Sequence, residues 1–238
     1  MNWKKPTRAM TVPILMLLCA IGVSTAGKMP YHPSIDAANF LTTIDNPYYP
    51  LTPGTTYKYT ERSGKHVAED EVTVTHDTRV IMGVTCVVVH DVAREGGVVK
   101  EETYDWYAQD KQGNVWYFGE DTKEFHAGGK ISTEGSWEAG VGPNQPGIIM
   151  PGKAAPGDAY RQEYGPGHAE DMGQIMAVKE SVKVPYGAFK DCVRTKEWSL
   201  LEAGTDKKWY AKGVGCVKEL SAHGDVTELI SLTKDNHE

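Results

Sequence analysis

The chain has 238 residues, 40% of them hydrophobic and 24% charged, with 25 basic side chains against 32 acidic ones and a formal net charge of −7. That length suits one β-rich domain or two small ones, with a core that needs no covalent staples. The acidic balance repels phosphate backbones and anionic lipid heads, and no basic patch interleaved with aromatics offsets it, so nucleic acid is excluded as a partner.

Lys4, Lys5 and Arg8 precede an apolar run, TVPILMLLCAIGV, which ends in STA with small residues at Ser24 and Ala26. A basic start, a short apolar run and a small-x-small exit predict a secretory signal peptide over residues 1–26. The run is shorter than the roughly 20 residues of a membrane-spanning helix. Leu18, not a small residue, precedes Cys19, which argues against a lipid anchor. Cleavage after Ala26 leaves 212 residues with 22 basic and 32 acidic side chains. The expectation is an exported protein, periplasmic or extracellular, with no transmembrane segment in the mature chain.

Residues 27–53 read as irregular, because Pro30, Pro33, Pro47, Pro50 and Pro53 break any helix. One β domain follows over residues 54–238. TTYKYTER alternates, and EDEVTVTHDTRVIMG alternates with Val72, Val74 and His76 on one side. VTCVVVHDVARE is dense in β-branched residues, as a strand buried on both faces would be. Met82-Gly83 joins these two runs as a tight turn. In VVKEETYDWYAQDKQGNVWYFGEDTKEF two strands flank a turn begun by Asp110, with Gly113 at the positive-φ position. Trp106 and Trp116 stand near each other across this hairpin.

A long Gly/Pro-rich loop, residues 135–167, comes next. In GSWEAGVGPNQPGIIMPG the glycines and prolines forbid long regular structure, while Trp137 and Ile148-Ile149-Met150 favour burial. The expectation is a loop pinned over the sheet at Trp137 and Ile149, with Gly140 to Pro146 exposed. EDMGQIMAVKESVKVP, GAFKDCVRTKEWSLL, KKWYAKGVGCVKELSA and DVTELISLTK are further strands. Many short strands without a long helical period predict an all-β fold, a strongly curved antiparallel sheet or open barrel built from hairpins.

No reaction is written in the motifs. The Gly-x-Ser-x-Gly elbow and His-Glu-x-x-His are both missing. The histidines are dispersed, the calcium-loop pattern is absent, and neither metal nor cofactor is expected. The acidic clusters Glu69-Asp70-Glu71, Glu101-Glu102, Glu120-Asp121 and Glu170-Asp171 read as a solvated face. Aromatic and apolar side chains offer the better site, with Trp106, Trp116, Trp137, Ile149 and Trp209 as candidates to line a pocket for a lipid-like or other apolar small molecule. Of Cys86, Cys192 and Cys216, an oxidising compartment would pair two and leave one.

DNPYYPLTPGTTYKY, DWYAQDKQGNVWYFGEDTKEF, GSWEAGV…QPGIIM and WYAKGVGCVKE together resemble a group of secreted bacterial proteins of unknown function, over about Tyr31 to Glu219. The group brings no chemistry with it. Cys86 and Cys192 match its cysteines and Cys216 does not, which implies a Cys86–Cys192 disulfide. VPYGAFKDC…WYAKGVGCVKE is more loosely similar to envelope proteins of the lipoprotein-carrier type, which implies a half-barrel over a cavity for acyl chains. The leading expectation is non-enzymatic binding of an apolar or amphipathic ligand, or of an envelope partner, in the concavity. The alternatives are a secreted hydrolase using Trp137, Glu138, His168, Glu170 and Asp171, and a structural envelope protein without a pocket.

Overall fold

The computed structural model describes residues 31–157 and 159–235. The expected signal peptide, residues 1–26, lies outside them. In chain order the strands are β1 (Phe40–Leu41), β2 (Thr55–Ser63), β3 (His66–Ile81), β4 (Val84–Glu95), β5 (Val98–Asp110), β6 (Val115–Phe125), β7 (Ile131–Ser132), β8 (Trp137–Glu138), β9 (Gln145–Met150), β10 (Tyr160–Arg161), β11 (Glu163–Tyr164), β12 (Asp171–Val184), β13 (Gly187–Ser199), β14 (Asp206–Ala211), β15 (Gly215–Leu220) and β16 (Val226–Lys234).

Alternation sets the two faces. β2 buries Thr55, Tyr57, Tyr59 and Glu61 and exposes Lys58 and Arg62. β15 buries Gly215, Val217 and Glu219 between half-exposed neighbours. The long strands pair as antiparallel neighbours in the order β10-β12-β13-β14-β15-β16-β2-β3-β4-β5-β6-β9-β11. The first and last strands of this path, β10 and β11, are separated in sequence by Gln162 alone. The sheet therefore comes back on itself, giving the unit Pro33–Glu238 a nearly closed antiparallel barrel. This is the all-β, strongly curved architecture expected from the hairpins.

The turns obey local chemistry. Met82 and Gly83 both take positive φ, 50° and 79°, between β3 and β4. Between β5 and β6, Asp110 Oδ1 accepts from the backbone of Gln112 and of Asn114, each at 2.9 Å. Gly113 there has φ 84°.

Two findings refine the sequence reading. The Gly/Pro-rich stretch is wall rather than flap, since it contributes β8, β9, β10 and β11. Trp137 and Ile149 are buried as expected, but exposure ends at Pro143, and Asn144 and Pro146 are buried again. Glycine is required here by close approach: a Cβ on Gly147 would lie 2.3 Å from the Gln162 carbonyl carbon, and one on Gly119 would lie 2.2 Å from the Trp137 oxygen. Elsewhere, Cys86, Cys192 and Cys216 are all free thiols, so the Cys86–Cys192 bond is not formed. Five strands separate β13, which carries Cys192, from β4, which carries Cys86, whereas a disulfide needs its two Cα atoms within about 7 Å.

The irregular N-terminal segment forms a strap across one end of the barrel. Asn46 accounts for much of its attachment. Its Nδ2 donates to the Gly113 carbonyl at 2.8 Å and to that of Pro151 at 3.3 Å, and its backbone N–H donates to Gln109 Oε1 at 2.8 Å. On the opposite wall, the Pro47 carbonyl accepts from Gly213 N–H at 2.7 Å, and Tyr48 OH donates to the Asp191 carbonyl at 3.3 Å. Prolines and an Asn turn suit a segment that touches several strand ends and extends none of them.

Candidate functional site

The inward side chains change character along the barrel axis. Nearest the strap is a belt of aromatic rings. Tyr49, carried by the strap, lies 5.6 Å from the Tyr107 ring on β5 and 6.1 Å from the Tyr210 ring on β14, so it spans from one wall to the other. Tyr107 stacks on Tyr117 at 4.8 Å, and Tyr117 meets Trp137 edge-on at 5.3 Å. Burial pushes the Tyr107, Tyr117 and Tyr210 hydroxyls well above their ordinary range, so these phenols stay neutral.

Farther from the strap the same faces turn acidic. On β5, Tyr107 is followed inward by Asp105, Thr103 and Glu101. On β6, Glu120 stands opposite Asp105 and Thr122 opposite Thr103. On β3, Asp70 shares its face with Val72 and Val74 and stands opposite Tyr59 of β2. On β4, Asp91 stands opposite Val72, which places it diagonally from Asp70. Glu61 of β2 is also buried.

This is an expensive arrangement. Burial raises Asp70 to about 6, and neighbouring Glu101 and Glu219 add repulsion. Asp91 is raised well above the carboxylate range, first by burial and then by the charge of Asp70. Glu101 is pushed up to about 7 by burial and by Asp91. Burial also raises Asp105 to about 6, although Tyr117 OH donates to its Oδ1 at 2.5 Å. Asp70 and Asp91 are hydrogen-bonded and share a proton as a pair, because each carboxyl raises the cost of charging the other. Asp70 is hydrogen-bonded to Asp91, no N–H or hydroxyl group donates to either of its oxygens, and the residue is only 2% exposed.

The opposite wall is different. Lys208 of β14 is buried with Nζ 3.1 Å from Glu197 of β13 and 3.7 Å from Glu219 of β15. Burial opposes the charge on Lys208, but the two carboxylates outweigh it and hold the ammonium well above its ordinary range. Burial likewise acts against Glu197, yet Lys208 and the Thr195 hydroxyl at 2.7 Å hold it below the usual range. Tyr210 OH donates to Glu197 at 3.0 Å. One wall is therefore an ionic cluster built on Lys208, and the other is an acidic surface with no cation of its own.

Of the five candidate lining residues, Trp137 and Ile149 face the interior, Trp137 against Tyr117 and Ile149 in register with inward Gly147. The other three face outward. Trp106 alternates against Asp105 and Tyr107 and is covered by the Arg79 guanidinium at 4.1 Å. Trp116 donates to Asp110 at 2.8 Å, and Trp209 donates to Glu180 at 2.6 Å. Among the residues weighed for hydrolysis, Glu138 binds Arg79 at 2.5 Å while Glu170 lies 3.7 Å from Arg161. Sequence reading passed over the inward carboxylates, which it treated as solvated clusters. Among the described residues no three side chains gather as a metal cage would require, and no helix is long and apolar enough to cross a membrane.

No protein-family model and no curated protein matches the chain. Among solved structures it is similar to a "putative lipoprotein" from Parabacteroides distasonis, at 13% identity over 78% of this chain and 98% of that one, with a TM-score of 0.43. A likeness of that degree carries no argument about fold or function.

Proposed function

We propose that this is an exported binding protein that holds an amphipathic small molecule inside its barrel and performs no chemistry on it. One observation carries the reading: aromatic rings and under-compensated carboxylates share one interior, graded along the axis. An apolar interior would be cheaper to fold, because buried charge costs several kcal/mol per ion unless something pairs with it. Perturbed carboxylates facing a concavity are a mark of a ligand site. Trp137, Ile149 and the tyrosine belt supply the apolar contacts, and the β3–β6 carboxylates supply the polar ones.

The test is native mass spectrometry of the full chain expressed with its own N-terminus and recovered from the exported fraction. A bound mass that dissociates on denaturation and extracts into organic solvent as an amphipath is the expected result. Protein that emerges ligand-free, and that takes up no amphipath on incubation, overturns the proposal.

A further inference from the structure

We infer that the outer face of β13 and β14 is a docking site for an acidic polysaccharide, one whose carboxylates are spaced by neutral sugar rings. The face lies outside the barrel, so the inference does not depend on what the interior holds.

Register builds the face. Lys196 of β13 stands directly opposite Lys207 of β14, and Arg194 stands opposite Trp209, which in turn stands opposite Lys218 of β15. These side chains alternate with buried Thr195, Glu197 and Lys208, so they point outward. Because β13 and β14 run antiparallel, Trp198 and Trp209 lie on opposite sides of the lysine pair, about 13 Å apart along the strands by the ordinary rise of an extended chain. Both indoles are half-exposed. Like charges directly opposite each other on a sheet are destabilising, and the nearby carboxylates are already taken. Glu180 accepts from Arg194 at 2.7 Å and from Trp209 at 2.6 Å, and Glu228 binds Lys218 at 2.9 Å. Among the described residues neither Lys196 nor Lys207 forms an ion pair, and the Lys196 ammonium rests instead 4.9 Å from the centre of the Trp198 ring.

A carboxylate seated between the two lysines relieves their repulsion, and sugar rings to either side lie against the indoles. The order aromatic, cationic, aromatic is matched by neutral, acidic, neutral sugars. The net charge of −7 hides this face, and so does the sequence, where RTKEW and KKW interleave its members with inward Glu197 and Lys208. A nucleic acid fits less well, since it is charged at every unit and the rest of the chain repels it. An anionic bilayer also fits less well, because indoles half-buried on a strand face, with Trp209 tethered to Glu180, do not protrude to insert.

The experiment is calorimetric titration of the full-length protein at low ionic strength with a hyaluronan oligosaccharide, in which glucuronate alternates with a neutral amino sugar. The comparison probes are a neutral chitin oligosaccharide, phosphatidylglycerol vesicles and oligothymidylate. The hyaluronan oligosaccharide should bind at least about tenfold more tightly than any of these, and Lys196→Gln combined with Lys207→Gln should weaken it by about tenfold. Lys65→Gln combined with Lys130→Gln removes the same charge from exposed turns elsewhere and should leave the affinity unchanged. The probe comparison uses unmodified protein, so it stands even if a variant fails to fold. Equal losses from the two double variants overturn the seat. Equal binding of the chitin oligosaccharide overturns the role of charge. Tighter binding of the vesicles or of oligothymidylate overturns the polysaccharide in favour of a membrane or a nucleic acid, and failure of every probe to bind overturns the docking face.

Discussion

Lys208 and Asp70 are both buried and ionisable, and substitution of each should move stability in opposite directions. Lys208 is the shared counter-ion of Glu197 and Glu219. Lys208→Met leaves two buried carboxylates without a cation, and a loss of about 3–5 kcal/mol is expected in urea unfolding at pH 7.5. Adding Glu197→Gln and Glu219→Gln to Lys208→Met should recover much of that loss; a triple variant no better than the single one would show that the cost lies in packing and not in charge. Asp70→Asn removes a buried charge that no cation pairs and that only the Asp91 carboxyl hydrogen-bonds, so at pH 8 the ligand-free variant should be more stable than the parent by about 1–3 kcal/mol. A lower unfolding midpoint for Asp70→Asn at pH 8 would contradict this. The difference between these residues was partly legible in the sequence. Asp70 has the parity of Val72 and Val74, whereas Glu71, one step away, points out to Lys58 at 2.7 Å. Asp105 has the parity of Tyr107. A run such as Glu69-Asp70-Glu71 looks uniform by composition, and only alternation separates its inward member. What no parity rule supplies is the partner across the barrel, because the Lys208 cluster joins three strands remote in sequence from β3.

At the scale of elements, the seam between β9 and the β10–β11 segment decides whether the sheet closes. Gly147 is there because backbone passes where a side chain would be, with the Gln162 carbonyl carbon 2.3 Å and its oxygen 2.4 Å from the site of a Cβ. Gly147→Ala must push the two segments apart, and overpacking of this kind costs about 1–3 kcal/mol or more. Gly157→Ala is the matched control, since the Ala155 oxygen at 3.7 Å is its nearest neighbour within 4 Å. Thermal unfolding should show a lowered midpoint for Gly147→Ala and little change for Gly157→Ala; equal effects would mean that the seam tolerates a methyl group. The β5–β6 hairpin could be read from sequence because its signals are local: Asp110, Gly113 and two alternating runs. The Gly/Pro-rich stretch could not, because turn glycines such as Gly140 and Gly142, both at positive φ, are mixed with Gly147 and Gly152, which allow close approach to backbone distant along the chain. Loop composition and seam composition look alike until the partner strand is known.

For the whole molecule, the acid-lined interior makes stability depend on pH in an unusual direction. A carboxylate whose folded-state pKa is raised binds its proton more tightly when folded, so stability falls as pH rises through the window between the unfolded and folded values. Asp70 moves from 3.8 to about 6, which alone corresponds to about 3 kcal/mol lost between roughly pH 4 and pH 7. Asp105, raised to about 6, and Glu101, raised to about 7, act in the same sense, though neighbouring charges do not add independently. Glu197 opposes them: held low by Lys208 in spite of its burial, it contributes stability that is lost as acid protonates it. The two trends place the stability maximum of the ligand-free barrel at about pH 4 or below, well under neutrality. Thermal midpoints followed by circular dichroism from pH 4 to pH 9 should rise steadily from pH 8 down to about pH 4; a midpoint that climbs steadily from pH 5 to pH 8 would show that the interior carboxylates are hydrated and unshifted.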